Sequence, residues 1–347
     1  VVGHSVGAMT SVDLELKPGL VTTRAALAVA FGRPDAEERA SQSGIVPCRS
    51  SKKLLVFSDP QKSKEHGYNF DGWTEGDNEG PVFDYTGTGP TGHQVLSGLN
   101  GTLLNHEEQE LDLHVFISDG HVKSGGAKLQ RYVGQMRVDS TVPFTERWDY
   151  DPKGTLRRVY VFRLRPVDLD QTDMRESDAV QIAKKDDVLS VPKEAVKEAA
   201  KAGAKSKKTE KHTTGQTTAN ITGGERTVIR REGQLVTAFE EHLEGAGHAF
   251  STFQFTVEGE RGTFTPDLYD ETDHALYEAK GLTTRENVRM AIGQLLDYRR
   301  HVENNETLRL AVLLPTAPTP DVQGLLAEQN IALVYQTEDG FAGWPLT

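Results

Sequence analysis

TPDLYDETDHALYEAK, residues 265–280, sets Asp267 against Glu278 and Lys280 across what reads as two strands joined by a turn. Upstream, FSTFQFTVEGERGTFTPDLYD (250–270) alternates apolar and aromatic residues with polar ones in a strand-like way. Asp270-Glu271-Thr272-Asp273 is a turn-rich break, and His274 to Lys280 reads as the next antiparallel strand. Side chains at i and i+2 share one face of a strand, so Glu278 and Lys280 point the same way while Ala279 points into the core. Pairing that strand with the one ending at Asp267 converges two carboxylates and an ammonium. Two hard oxygen donors suit Mg²⁺, with Mn²⁺ as a substitute, better than zinc, which wants His or Cys. An ion held there polarises a phosphate and lowers the pKa of a bound water, and Lys280 orients that water or offsets charge building on the phosphorane. The spacing is compatible with one ion or with two.

The flanks extend the pattern. After Gly281, TTRENVRMAIGQLLDYRRHVE has a threonine start signal and apolar Val288, Ile292, Leu295 and Leu296 at helical spacing. Upstream, Arg231 to Phe239 opens an amphipathic helix. Asp267, Glu278 and Lys280 in this setting resemble the PD-(D/E)XK nuclease superfamily, and Gln294 with Tyr298 resembles the QxxxY element that follows its lysine strand. The resemblance implies Mg²⁺-dependent hydrolysis of phosphodiesters, with Asp267 and Glu278 as metal ligands and Lys280 and Gln294 completing the catalytic set. It also implies an extra metal-side glutamate on the upstream helix. Glu232 is the first choice, with Glu240 and Glu241 behind it; the plainer reading is a carboxylate favoured near a helix N-terminus.

At 347 residues the chain has room for two domains, each with its own core. No stretch approaches the roughly 20 apolar residues that span a bilayer, and no signal-peptide pattern opens the sequence, so a soluble, cytoplasmic protein is expected. A single cysteine, Cys48, excludes an intrachain disulfide and a cysteine-based zinc site. The eleven histidines are scattered without ligand spacing. A net charge of −12 opposes DNA binding unless basic residues cluster. They do so locally: seven lysines against three glutamates between Lys193 and His212, then Arg49 with Lys52 and Lys53, Arg157 with Arg158, Arg163 and Arg165, and Arg285 with Arg289, Arg299 and Arg300.

Residues 20–32 read as a short helix capped by Thr22 or Thr23, with Gly32 past its end. From about 53 to 167, KLLVFSD, GPVFDYTG, LDLHVFISD, LQRYVGQMRVD and LRRVYVFRLRPV are β-rich runs between glycine-rich turns, the cadence of a β-barrel or strongly curved sheet. A polar, lysine- and alanine-rich linker is expected over 168–224, with PKEAVKEAAKAGAK as a helical spacer. From 225 to 347 the order is helix, three strands, helix, strand, helix, strand, a mixed α/β core.

Within the β-rich part, HGYNFDGWTEGDNEGPVFDYTGTGPTGHQ (66–94) orders aromatic-Asp-Gly, an acidic turn and Tyr85-Thr86-Gly87-Thr88-Gly89. With the lead-in GIVPCRSSKKLLVFSD and the exit GTLRRVYVFRLRPV it resembles the SRA domains that recognise 5-methylcytosine, most closely the SRA-like domain of actinobacterial methyl-dependent restriction enzymes. The resemblance covers residues 20–167 and implies a SRA/PUA-like curved β-barrel that flips a modified cytosine out of double-stranded DNA. Reading a base edge and its methyl group needs aromatic faces for stacking and a carboxylate for the amino group, and each stack is worth about 1–3 kcal/mol. By resemblance Tyr85 is one stacking residue and Trp73 the other. Asp77 is nearest the amino-binding aspartate, although strict counting falls on Gly76, and Asp71 is the fallback. Arg49, Lys52, His93 and Gln94 are the expected DNA contacts.

The sequence therefore reads as an α+β chain of two domains joined by a linker, a modification-dependent, type IV-like restriction endonuclease acting as a homodimer on modified DNA with Mg²⁺. Two alternatives stay open: a modified-DNA-binding protein with an inert or very slow nuclease fold, and a processing nuclease indifferent to modification.

Overall fold

The computed structural model describes residues 14–31, 43–60, 70–77, 79–122, 126–199, 201–202 and 224–346. Lys205, Lys207, Lys208 and Lys211 of the expected basic run, and Gly32, lie outside them. The chain forms two compact units, one from the segment up to Pro90 with Val95–Asp139 and Val161–Val180, the other from Thr91–Gln94, Ser140–Tyr160 and Gln181 onward. No described helix is long and apolar enough to cross a membrane.

The first sheet holds β1 (Val21–Thr23), β2 (Ile45–Cys48), β3 (Lys53–Ser58), β4 (Gly72–Trp73), β5 (Phe83–Thr86), β6 (Asp112–His121), β7 (Lys128–Val138), β8 (Phe144–Tyr150) and β9 (Leu156–Pro166). Its order is β2-β3-β6-β7-β9-β5-β4, with β1 added on β7 and β8 on β9. The expected closed barrel is not formed: among the described residues β2 and β4 end an open path. Register shifts at Val115/Phe116 and Ser118/His121 bend the long β6–β7 pair, which supplies curvature without closure. Helix α1 (Arg24–Ala30) starts at Thr23, whose hydroxyl accepts from Ala26 N at 3.2 Å, and buries Leu27. Leu27, Phe31, Leu55, Phe57, Phe116 and Tyr132 form one core beneath it. A second short helix, α2 (Gly98–Leu104), buries Leu103.

Residues 168–180, expected to open the linker, instead fold back onto the first unit. Buried Arg131 pairs with Asp173 and Asp178, Asp173 N donates to Val133 O at 2.7 Å, and Val180 N donates to Trp73 O at 2.8 Å. Further on, β10 (Asp187–Val191) joins the second sheet and residues 193–199 are helical. The composition of 168–199 is polar, but its polar groups are anchors rather than solvated spacer.

The second sheet follows the order β10-β11-β12-β13-β14-β15-β16, with β11 (Phe250–Thr256), β12 (Leu268–Asp270), β13 (Ala275–Ala279), β14 (Arg309–Leu314), β15 (Ile331–Thr337) and β16 (Gly340–Ala342). Its centre, β13-β14-β15, is parallel, and β12 pairs antiparallel with β13, opposing Leu268 to Tyr277. Helices cover both faces, as parallel strands require. Helix α3 (Gly224–Gly245) packs Leu235, Phe239 and Leu243 on Tyr277, Ala279 and Leu313. On the other face, α4 (Arg285–Tyr298) and α5 (Pro320–Glu328) pack Val288, Leu295 and Leu326 on Leu276 and Val312. Helix α4 begins where expected, with Thr284 Oγ1 accepting from Asn287 N at 3.3 Å. Its buried stripe is Val288, Ala291, Leu295 and Tyr298. Leu296, expected in that stripe, is on the outer face, because at about 100° per residue it lies about 120° from the middle of the stripe that Val288, Ala291, Leu295 and Tyr298 form.

Candidate functional site

Strand β13 is buried along its whole length, and its two faces serve different neighbours. Ala275, Tyr277 and Ala279 pack toward α3, and Leu276 toward α4. Glu278 and Lys280 continue the Leu276 face at alternate positions, so polar side chains occupy places that packing alone would give to apolar ones. Glu278 is 3% exposed and Lys280 5%. Lys280 Nζ donates to Glu278 Oε1 at 2.7 Å. Asp267, just before β12, accepts from Ala279 N through Oδ2 at 2.7 Å, which fixes its carboxylate beside the end of β13. Glu232 on α3 accepts from Gly281 N through Oε2 at 3.1 Å. The structure thus brings together Asp267, Glu278, Lys280 and Glu232. Asp267 and Glu232 are only partly buried, so the cluster opens on their side.

The electrostatics of this group are those of negative charge confined by burial. Burial first, then the charge of Asp267, pushes Glu232 up to about 7. Burial raises Asp267 against the pull of Lys280, and burial plus Asp267 raises Glu278 well above the usual carboxylate range. Burial alone would lower Lys280, but Glu278, Asp267 and Glu232 together carry it to about 12. Three carboxylates face one ammonium, an excess that a divalent cation would balance. Glu278 Oε2 is buried with no hydrogen-bond partner among the described residues. A buried orphan oxygen in an acidic, oxygen-only donor set fits a hard cation.

Gln294 lies one turn before Tyr298 on α4 and donates to its hydroxyl at 3.3 Å, leaving Oε1 buried without a partner among the described residues. Burial and the charge of Glu278 push Tyr298 up to about 12, so this pair borders the carboxylates. Glu240 does not: its carboxyl is raised to about 7 by burial among Lys197, Glu146, Glu241 and Lys193, more than two turns along α3 from Glu232.

In the first unit, β4 and β5 pair Trp73 with Phe83, and Tyr85 lies two residues along on the same face. Trp73, Phe83 and Tyr85 are buried, the first two edge to face at 5.3 Å. Asp71 stands next to them. Its carboxylate accepts from Ser58 Oγ at 2.6 Å and Thr86 N at 2.7 Å, and burial raises it to about 6. Asp77 sits apart, gripped by Arg165 at 2.6 Å and Arg163 at 2.7 Å and lowered chiefly by Arg165.

The expected DNA contacts separate in the same way. Arg49 and Lys52 are exposed at the turn before β3, where Lys52 meets Glu110 at 2.6 Å and Arg49 meets Gln109. His93 and Gln94 belong to the scaffold: His93 Nδ1 accepts from Arg158 N at 3.1 Å and buried Gln94 Oε1 from Tyr160 N at 2.9 Å, which locks their segment to β9. The expected patch of Arg157, Arg158, Arg163 and Arg165 is not a surface, since Arg157 is 0% exposed and Arg165 bonds Asp139 and Asp77. Arginines alternating along a strand look solvent-facing in sequence, and their distant acidic partners carry no local signal.

None of the curated proteins matches the chain in sequence. Among solved structures, it is similar to the sulfur binding domain and SRA domain of ScoMcrA complexed with phosphorothioated DNA, at 19% identity over 46% of this chain and 43% of that one, TM-score 0.30. The chain thus spans well under half of the ScoMcrA structure's length. It is also similar to the SUVH5 SRA domain in complex with hemi-methylated CG DNA, at 22% identity over 48% of this chain and 97% of that one, TM-score 0.29. A third similarity, to the DNA modification-dependent restriction endonuclease AspBHI, covers 96% of this chain and 92% of that one at 9% identity, TM-score 0.33. Residues 21–187 match the family model described as ScoMcrA-like, SRA domain, a match that supports an SRA-like first part of the chain, runs past residue 167 and takes in the folded-back tail.

Proposed function

We propose that the chain is a modification-dependent, type IV-like DNA endonuclease, in which the SRA domain holds a modified cytosine and the second unit, a PD-(D/E)XK-like core, hydrolyses a nearby phosphodiester. The observation that carries the reading is the convergence of Asp267, Glu278, Lys280 and Glu232 in one partly closed group that includes an unpartnered buried carboxylate oxygen. Asp267 and Glu278 would hold Mg²⁺, with Glu232 beside them. The ion, when bound, supplies a Lewis acid for the phosphate and lowers the pKa of a water. Lys280, fixed by Glu278, is placed to orient that water and to offset charge developing on the phosphate. Gln294 and Tyr298 support the carboxylate side of the site.

In the SRA domain, Tyr85 and Trp73 supply aromatic faces and Asp71 a carboxylate beside them. Its position next to Tyr85 favours Asp71 over Asp77 as the group that accepts from the cytosine amino group, because Asp77 is committed to two arginines. One catalytic group cuts one strand, so a double-strand break calls for a second copy of the chain.

The test is incubation of cytosine, 5-methylcytosine and 5-hydroxymethylcytosine duplexes with Mg²⁺ or Mn²⁺ at stated salt. Modified duplexes are expected to be cut and the unmodified one spared. Lys280→Ala is expected to slow cutting by about 10²–10³-fold while leaving duplex binding intact. Binding without nicking, unchanged by Lys280→Ala, would leave a reader of modified DNA with an inert nuclease fold.

A further inference from the structure

Helix α4 has two faces of different character. One carries Val288, Ala291, Leu295 and Tyr298 into the core. The opposite one carries Arg289, Met290, Gly293, Leu296 and Asp297, all within about 60° of Gly293 on a helix that turns about 100° per residue. Met290 is 59% exposed and Leu296 39%. Gly293 stands mid-helix, where glycine costs about 1 kcal/mol relative to alanine. A Cβ on it would meet nothing within 4 Å, so nothing within the described residues requires a glycine there. A glycine there permits close approach of another backbone from outside.

The stripe is also symmetric about that glycine. Met290 and Leu296 lie three residues before and after it, Arg289 and Asp297 four before and after, and Glu286 and Arg300 seven before and after. A two-fold axis at Gly293 therefore sets Arg289 against the second copy's Asp297, Met290 against its Leu296 and Glu286 against its Arg300, each pair twice. Within one chain Arg300 already reaches Asp297 at 3.0 Å, so association would link the charges into a network rather than pairs.

We propose that a second copy of this chain docks antiparallel on the outer face of α4, with Gly293 at the crossing. Glycine at the crossing allows the two axes to approach to about 8 Å. A DNA backbone is the other occupant that Arg289 and Arg300 would suit, but Glu286 and Asp297 in the same stripe repel phosphate, whereas a second copy pairs every charge. The interface goes beyond the nuclease reading and stands without it, since association needs neither DNA nor metal.

Sedimentation velocity on the full chain, without DNA or metal, tests it. The wild type is expected to pass from monomer to dimer as concentration rises. Arg289→Glu and Asp297→Arg each set like charges across the axis twice, and each alone is expected to stay monomeric. Mixing the two variants is expected to restore the dimer, because every altered charge then faces an opposite one. Gly293→Leu, a better helix former with room in the monomer, is expected to weaken association at least tenfold while folding normally by circular dichroism. A wild type that stays monomeric at every concentration, single variants that still dimerise, or folded variants whose mixture does not dimerise would each overturn the proposal. So would an intact dimer in Arg289→Glu combined with lost duplex binding, which would give the face to DNA.

Discussion

Glu232 carries the consequence of placing three carboxylates around one lysine. Its carboxyl titrates at about 7, raised first by burial and then by Asp267. Since that lies above the unfolded value of about 4.5, the unfolded chain releases its proton first as pH rises. The folded state then loses stability between about pH 4.5 and 7 and no further above that window. Glu232→Gln keeps an oxygen acceptor for Gly281 N and removes the charge. Urea denaturation is expected to find the variant about 1–3 kcal/mol more stable than wild type at pH 8 and equal to it at pH 4. Equal stability at both would mean that Glu232 bears its charge without penalty. The cluster itself was readable from Asp267, Glu278 and Lys280, because strand period and turn length fix which side chains meet. Glu232 joins from a helix more than 30 residues upstream, and only family resemblance pointed to it. The choice between Asp71 and Asp77 is not legible in the sequence, because it depends on Arg163 and Arg165, 86 and 88 residues further along the chain than Asp77.

At the scale of elements, apolar periodicity carried most of the second unit. The order helix, three strands, helix, strand, helix, strand from 225 onward is the order found, with the short β16 added at the end. The tail at 168–180 is not legible in the sequence, because what binds it is the Arg131 ion pairs and a few backbone bonds, which leave no hydrophobic period. The approach of the β2 lead-in to β5 was equally hidden. Phe57 N donates to Gly44 O at 2.8 Å, and a Cβ on Gly44 would lie 2.4 Å from Tyr85 Oη. Tyr85 is buried, so its ring has little freedom to retreat. Gly44→Ala is expected to displace Tyr85, lowering stability and reducing the preference for 5-methylcytosine over cytosine about tenfold, a loss of about 1.4 kcal/mol within the range of one base stack. Tyr85→Phe removes the offending atom, so Gly44→Ala with Tyr85→Phe should regain the stability lost by Gly44→Ala. Thermal melting of the three variants checks the rescue. A Gly44→Ala protein as stable and selective as wild type would show that Tyr85 does not need this space.

At the scale of the molecule, a net charge of −12 has to be reconciled with the proposed polyanionic partner. The structure sharpens the difficulty, because several basic residues that looked available are engaged. Lys52 meets Glu110, Arg285 pairs with Asp321, Lys193 and Lys197 share Glu244, and Arg157 and Arg165 are interior. Each phosphate neutralised by a free cation steepens the dependence of log K on log salt by about 0.9. With these basic residues held in ion pairs or in the interior, few phosphates, about three, should be neutralised, and affinity should come from the proposed aromatic pocket, whose contacts salt does not screen. For Lys280→Ala, expected to keep binding while cutting slows, fluorescence anisotropy on a methylated duplex without divalent metal is expected to give a slope no steeper than about −3. The unmodified duplex should show the same slope at lower affinity, since the stacked base changes the offset and leaves the phosphate count alone. A slope near −8 would mean that a basic surface dominates binding, and a difference in slope between the two duplexes would mean that modification changes how the backbone is held.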